Sequence, residues 1–340
     1  MKCQIKKALH RNEFYVAVII VLLCAFIEMR SGQFLSANNL VDMVSAMIVP
    51  TMFGIGQYMV IISGGFDVSF CTMASLSSYV IVDTLLKANY TGPIIVPILM
   101  AIVIGAVLGA LNGFLIARYD LPAFIVTLGT QFVFRGLMQG ALGAVQIYTV
   151  PPSMQSFGKA ALFTVTGSSG LTSKMPVAVL FAAALVILAA LVMRYTMFGR
   201  GIYAVGGSSS AAERAGFPVF WIKFFVYVIS GAIASLTGLI RMSMIGQAQP
   251  TNLLGMELTI IASVVIGGTA IKGGKGTVLG ALLGTLLIVL VQNSLIMIGI
   301  PTIWQSFFLG VLIIGSTGIS AYQATHQKKA HKAKREVSAV

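Results

Sequence analysis

Residues 199–219 read GRGIYAVGGSSSAAERAGFPV, a polar, glycine-rich stretch just past the midpoint of the chain with long apolar runs on either side. Its spacing predicts a very short helix. Ser210-Ala-Ala-Glu213 fits a capping box, in which the serine oxygen accepts from the Glu213 amide and the carboxylate reaches back to the Ser210 amide. Gly216 suits a left-handed exit, and Pro218 stops continuation. The expected product is a helix of barely two turns around AAERA. Isolated helices this short are marginal because nucleation is costly, so it needs a docking surface. Two readings stand: an ordinary loop helix lying on a membrane, or a lever fitting a groove on a cytoplasmic motor.

The flanking runs set the class. The chain is 57% hydrophobic and 9% charged, with a mean hydropathy of +0.95, far from the roughly 25% charged residues of globular domains. It is expected to be all-α, a polytopic membrane protein with about ten spans of roughly 20 apolar residues each. The spans are expected at 14–29, 40–62, 69–87, 94–117, 122–145, 176–193, 220–243, 257–271, 277–298 and 302–320. The eighth is short, which fits a broken or tilted helix.

Lysine and arginine are retained on the cytoplasmic side. With the N-terminus inside, most of the 22 fall there, in the tails MKCQIKKALHR and HQKKAHKAKR, at Arg118, in the 194–223 region, and at Lys272 and Lys275. Arg30, Lys87, Lys159 and Lys174 fall outside. The bias supports an even number of spans with both termini cytoplasmic. The chain then divides into an N-terminal tail at 1–13, a membrane domain at 14–320 with its longest internal cytoplasmic loop at 194–219, and a basic C-terminal tail at 321–340. Topology and anionic lipid account for the net charge of +13, so membrane lipid is an expected partner and nucleic acid is not. The first apolar run follows basic residues, but CAFIEMRSG offers no A-x-A-like cleavage site, so it reads as an uncleaved span.

Enzymatic signatures are missing. Cys3, Cys24 and Cys71 are too scattered for a metal or redox pair, and His10, His326 and His331 lie in the tails. GGKGT at 273–277 fails as a phosphate loop, because Thr269 stands where its first glycine belongs and Gly276 follows the lysine. With no nucleotide or cofactor site in view, energy has to come from a gradient or a partner.

Four stretches carry a family resemblance. The 199–219 segment is similar to the pattern G-R-x-I-Y-A-x-G-G-N-x-x-A-A-x-x-A-G-I of permease subunits from ribose-, galactose- and xylose-type ABC importers, within the wider branched-chain and monosaccharide permease superfamily. ISGGFDVSF at 62–70 resembles that family's G-G-I-D-L-S-V-G. IGGTAIKGGKGTVLGALLG at 266–284 resembles its I-G-G-x-x-x-x-G-G-x-G-x-x-x-G-x-x-x-G, and NSLIMIGIPTIWQSFFLGVLII at 293–314 resembles its last span. Phe70, Cys71 and Ser208 depart from the pattern, which has Val, Gly and Asn there. The resemblance runs in order from about residue 40 to 316. It implies a subunit that forms the sugar pathway and hydrolyses nothing. Implied partners are a cytoplasmic ATP-binding subunit, often a tandem ATPase, a periplasmic sugar-binding protein, and a second permease copy or paralogue. The short helix becomes the coupling helix to the ATPase, with Gly206, Gly207, Ser210, Ala211, Ala212, Glu213, Arg214 and Gly216 as its positions.

Other features are read from the residues directly. Gly105, Gly109 and Gly113, and likewise Gly276, Gly280 and Gly284, form stripes that let helices approach closely. They lie five spans apart in oppositely directed helices, as an inverted repeat of spans 2–5 and 7–10 requires. Gly64 and Gly65 disfavour helix continuation, and Asp67 and Ser69 open the next helix, so this break is either a structural cap or a gate. Polar groups within spans are costly there. Gln57, Asn112, Gln131, Arg135, Gln292 and Asn293 are therefore pathway candidates, with interhelical hydrogen bonding as the plainer role. The outer loop 146–175, with Lys159 and Lys174, offers rim charges to an acidic binding protein. The rival function is an ion-gradient-driven transporter of a small polar solute, which usually shows ionisable groups deep in its spans. Here Asp42, Asp67, Asp83 and Glu257 map near span ends.

Overall fold

A computed structural model describes residues 12–140, 142–143, 145–167, 170–297, 299–311, 314 and 318. The expected C-terminal tail, nearly all of the N-terminal tail and much of the last expected span lie outside the described residues. The described chain is mainly helical: α1 (Asn12–Ser31), α2 (Ala37–Ile62), α3 (Phe70–Lys87), α4 (Ile95–Tyr119), α5 (Ala123–Gly140), α6 (Pro152–Lys159), α7 (Ala178–Tyr195), α8 (Met197–Gly207), α9 (Ser209–Arg214), α10 (Val219–Ile245), α11 (Glu257–Ile266) and α12 (Val278–Met297). A single 3-10 turn follows at Thr302–Trp304.

Six of these helices, α1, α2, α4, α7, α10 and α12, are long and apolar enough to cross a membrane among the described residues. Helices α3 and α5 have 18 residues each, about 27 Å at 1.5 Å per residue. The eighth expected span is only a half-helix. Its ten residues cover about 15 Å, half of a hydrocarbon core of roughly 30 Å. A non-helical stretch, 246–256, leads into it.

The all-α expectation needs correction at residues 161–176. There β1 (Ala161–Thr166) and β2 (Thr172–Pro176) form an antiparallel hairpin. Phe163, Thr164, Val165 and Thr166 favour a pleated strand, and the run is too short to register as a span. Two bonds tie the hairpin to the start of α2: Ser173 Oγ donates to Asp42 Oδ2 at 3.0 Å, and Asn38 Nδ2 donates to the Leu171 carbonyl at 2.7 Å.

Helices α2 and α10 form the centre. Every residue of α2 from Thr51 to Ile62 is buried, so other helices surround it. The α4 glycine stripe packs on α10: a Cβ on Gly105 would strike the Gly231 carbonyl, one on Gly109 the Tyr227 carbonyl, and one on Gly113 would lie 2.7 Å from the Phe224 carbonyl. On the other side α12 lies against α2 and α11, and its Gly280 and Gly284 admit the backbone at Gly267 and Ser263. Gly276, expected in that second stripe, lies before α12 in an extended turn with φ +155°. Large apolar side chains such as Met29, Val107, Ile125 and Ile187 point outward, as an outer surface facing hydrocarbon requires.

Candidate functional site

The 194–219 loop holds two helices where one was expected. Thr196 begins α8, its Oγ1 accepting from the Gly199 amide at 3.0 Å. The cap of α9 is Ser208, whose Oγ accepts from the Ala211 amide at 3.3 Å. The expected cap, Ser210, is already inside the helix, and the reciprocal Glu213 bond is not formed. Ser208 has the extended backbone a cap needs, φ −168° and ψ 110°. The exit follows the expected pattern: Gly216 is left-handed at φ +84°, its amide donates to the Glu213 carbonyl, and Phe217 donates to that of Ala212. Ala212 is buried against the bundle, while Ala211, Glu213 and Arg214 are exposed.

Helix α8 brings three glycine motifs to one point. The Gly274 amide donates to the Ile62 carbonyl at 2.9 Å. A Cβ on Gly206 would collide with that carbonyl and lie 2.7 Å from the Gly274 nitrogen. A Cβ on Gly273 would lie 2.8 Å from both the Gly206 carbonyl and Gly64 Cα. Gly64, Gly273 and Gly274 all have positive φ, a region that side-chain-bearing residues avoid. The 194–219 loop, the 62–69 break and the 267–277 turn thus meet backbone to backbone. Gly207 differs, with open space where its Cβ would be. A tyrosine relay reinforces the junction: the Tyr58 and Tyr203 hydroxyls are 2.7 Å apart, and Tyr203 donates to the Gly276 carbonyl at 2.9 Å.

Behind the junction lies a buried polar node. Asp67, 1% exposed, accepts from the Ser69 amide at 2.8 Å and the Ser69 hydroxyl at 2.6 Å. Asn112 Nδ2 donates to Ser69 Oγ at 2.9 Å. The Gln57 amide lies beside the carboxylate but outside hydrogen-bonding geometry. Asp67 Oδ2, Asn112 Oδ1 and the Tyr227 hydroxyl also lack protein partners. Gly65 leaves room for Tyr227, whose hydroxyl a Cβ there would strike. Thr127 of α5 closes the break: its Oγ1 accepts from the Val68 amide at 3.3 Å, and its proton lies between the Ala123 carbonyl at 2.9 Å and the Phe66 carbonyl at 3.2 Å. Asp67 therefore stands at a helix end, as its sequence position implies, yet deep inside protein.

A cavity of about 300 Å³ opens between α2, α11, α12 and residues 305–309, with Thr259, Ser263, Thr285, Gln292, Gln305 and Ser306 as its polar lining. Gln305 Nε2 donates to the Gln292 backbone carbonyl at 2.8 Å. At the start of α11, Glu257 Oε2 accepts from the Gly255 amide at 2.7 Å and Oε1 from Gln131 Nε2 at 3.4 Å. The Arg135 charge acts on the same carboxylate.

The sequence candidates thus separate. Gln57 and Asn112 belong to the Asp67 node, Gln131 and Arg135 gather at Glu257, Gln292 lines the cavity, and Asn293 joins none of these. Ser208 stands out in the sequence only as a departure from the family pattern, and Tyr58, Tyr203, Ser263, Thr285 and Gln305 are not among the sequence candidates. Hydroxyls inside apolar runs carry little sequence signal, although Tyr203 lies within the polar stretch itself. Among the described residues no group of three or more His, Cys, Asp or Glu side chains could hold a metal. The arrangement joins α8 by backbone contact to both the 62–69 break and the 267–277 turn.

Residues 39–317 match the model of a family described as branched-chain amino acid transport system / permease component. The chain is 31% identical to the ribose import permease protein RbsC of Haemophilus influenzae, over 95% of this chain and 96% of that one. It is 29% identical to the D-allose transport system permease protein AlsC of Escherichia coli, over 90% of each chain. It is also 29% identical to the autoinducer 2 import system permease protein LsrC of Salmonella typhi, over 90% of this chain and 84% of that one. No solved structure matches it.

Proposed function

The chain belongs to the branched-chain amino acid transport system permease family, and from that premise we infer that it is the membrane subunit of a binding-protein-dependent ABC importer. Its cargo is a monosaccharide or similar small polyol, the kind of solute named for the ribose and allose relatives. It is a multi-pass protein of the bacterial inner membrane.

The observation that carries the mechanism is the Ile62–Gly206–Gly274 junction. A cytoplasmic ATPase, in tandem form or as two chains, seats α9 through exposed Ala211, Glu213 and Arg214. Because α8 touches both the 62–64 and 273–274 backbones, a push on α9 reaches α2 and α12 without passing through flexible side chains. Asp67, Ser69 and Asn112 hold the first break in register and make it the gate element. Outside, the β1–β2 hairpin with Lys159 and Lys174 receives the sugar-binding protein, and a second permease copy or paralogue completes the pathway. Both termini are cytoplasmic.

An inverted repeat gains support from the paired surroundings: α10 packs with α3 and α4, and α2 with α11 and α12. The glycine stripes weigh against strict equivalence, since that of α4 faces α10 and that of α12 faces α11.

The test is purification from mild detergent with whatever ATPase and second permease accompany the protein, then reconstitution with the binding protein and uptake of D-ribose and D-allose. ATP-driven uptake, lost with the ATPase contact in an Ala212→Pro, Glu213→Ala variant, is the expected result. Uptake by the permease alone on an ion gradient would overturn the reading.

A further inference from the structure

We propose that the cavity between α2, α11 and α12 is the solute-contact site, and that Glu257 makes it select uncharged polyhydroxylated solutes over carboxylates. The inference rests on the importer reading and adds both a place and a rule of selection.

Size comes first. About 300 Å³ is room for on the order of ten waters at ~30 Å³ each, the space of one monosaccharide and the low end of small-molecule pockets. Chemistry comes next. The lining holds amides and hydroxyls from Thr259, Ser263, Thr285, Gln292, Gln305 and Ser306 among aliphatic side chains, with no charged residue among the described ones. Amides and hydroxyls both donate and accept, as sugar hydroxyls do.

Arg135, whose charge acts on the Glu257 carboxylate, lies outside the lining, and an anion would ordinarily find one attraction in the wall itself. The wall includes Gly255, Met256 and Thr259 at the N-terminal end of α11, and the N-terminus of a broken membrane helix draws carboxylates through its dipole and free amides. Glu257 weakens that attraction. Its Oε2 takes the Gly255 amide at 2.7 Å, so this donor of the wall is already held by the chain's own carboxylate. The side chain is 6% exposed and held from α5 by Gln131. An incoming carboxylate meets an occupied donor and a like charge nearby, whereas a neutral sugar meets only the uncharged dipoles.

The test places a reporter in the wall: Gln292→Cys in a Cys3→Ser, Cys24→Ser background, Cys71 being fully buried. The Gln305 bond survives because it uses the residue 292 backbone carbonyl. The full chain in lipid nanodiscs is alkylated with N-ethylmaleimide in the presence of D-ribose, D-allose or D-ribonate, the last being the open-chain acid anion in which the ribose aldehyde is oxidised to a carboxylate. Either sugar should slow alkylation about tenfold at ten times its Kd, and D-ribonate should not. Glu257→Ala should let D-ribonate protect. Glu257→Gln, which keeps a carbonyl facing Gly255, should do so more weakly and serves if the alanine variant fails to fold. The proposal is overturned if neither sugar protects up to about 100 mM, enough to fill even a site of Kd ~10 mM. Equal protection by D-ribonate in the unaltered site, or no change on replacing Glu257, overturns the selection rule. Sugar protection without any ATP-driven uptake would sink the importer reading and leave the site standing.

Discussion

The Gly274 amide donates to the Ile62 carbonyl across 2.9 Å, and Gly206 of α8 sits against both. That carbonyl belongs to the last turn of α2, where helical partners run out. Gly274 satisfies it from a turn more than 200 positions away in the chain. Only a glycine at 206 lets α8 approach so closely.

Gly206→Ala should therefore cost about 1–3 kcal/mol through overpacking against fixed backbone and should lower ATP-coupled uptake. Gly207→Ala, one position on, meets open space and should leave thermal stability unchanged or slightly raised, because alanine is the better helix former. Heating the detergent-solubilised proteins and following their size-exclusion profiles compares the two. Equal midpoints would refute the role of the junction in stability.

Ser208 and Ser210 offer a second contrast. Ser208→Ala removes the oxygen that accepts from the Ala211 amide and should destabilise α9 by about 0.5–2 kcal/mol. Ser210→Ala removes only an exposed hydroxyl 3.2 Å from that of Ser208. Amide hydrogen exchange at 209–215 should accelerate in the first variant and not in the second. The reverse order would restore Ser210 as the cap.

How far the sequence could lead is visible in these same residues. Long apolar runs mark their own helices: 94–117 was expected where α4 spans Ile95–Tyr119, and 220–243 where α10 spans Val219–Ile245. Hydrocarbon imposes one answer on such runs, so local composition suffices. Helix α8 could not be read this way. Four of its eleven residues are glycine, each costing up to about 1 kcal/mol in a helix, and packing onto α2, α7, α10 and the 273–274 turn holds it. The hairpin escaped because its strands are five and six residues long, too short to separate from loop by periodicity. Three glycine motifs were legible one at a time, but their meeting at Gly206 is tertiary. The polar candidates divided among a node, a carboxylate and a cavity for the same reason: interhelical register assigns them.

The α4–α10 seam yields a third prediction. Gly109 has the Tyr227 backbone and Gly231 Cα where its Cβ would be, while Gly136 of α5 has nothing within 4 Å. Gly109→Ala should force these helices apart and reduce the folded yield in membranes, at a cost of about 1–3 kcal/mol. Gly136→Ala should express like the parent protein. If both behave alike, close approach along this seam is not what holds α10 in place.

The tyrosine relay supports a test of how motion passes from α8 to the bundle. Tyr58 is fully buried, and its hydroxyl pairs with that of Tyr203, which in turn donates to the Gly276 carbonyl. Tyr203→Phe strands the Tyr58 hydroxyl and the Gly276 carbonyl, so it should cost about 1–3 kcal/mol, the penalty for leaving buried polar groups unpaired. Tyr58→Phe removes one hydroxyl but leaves Tyr203 its bond to Gly276, so it should cost less. The double variant should be no worse than Tyr203→Phe alone, because the hydroxyl that was stranded is gone. The cycle would then show a coupling energy of about 0.5–3 kcal/mol. The same four proteins carry the functional question, measured as ATP hydrolysed per sugar imported. If the relay transmits the stroke, Tyr203→Phe raises that ratio even under conditions where all four remain folded. Strict additivity in stability, with an unchanged ratio, would reduce the relay to two independent hydroxyls.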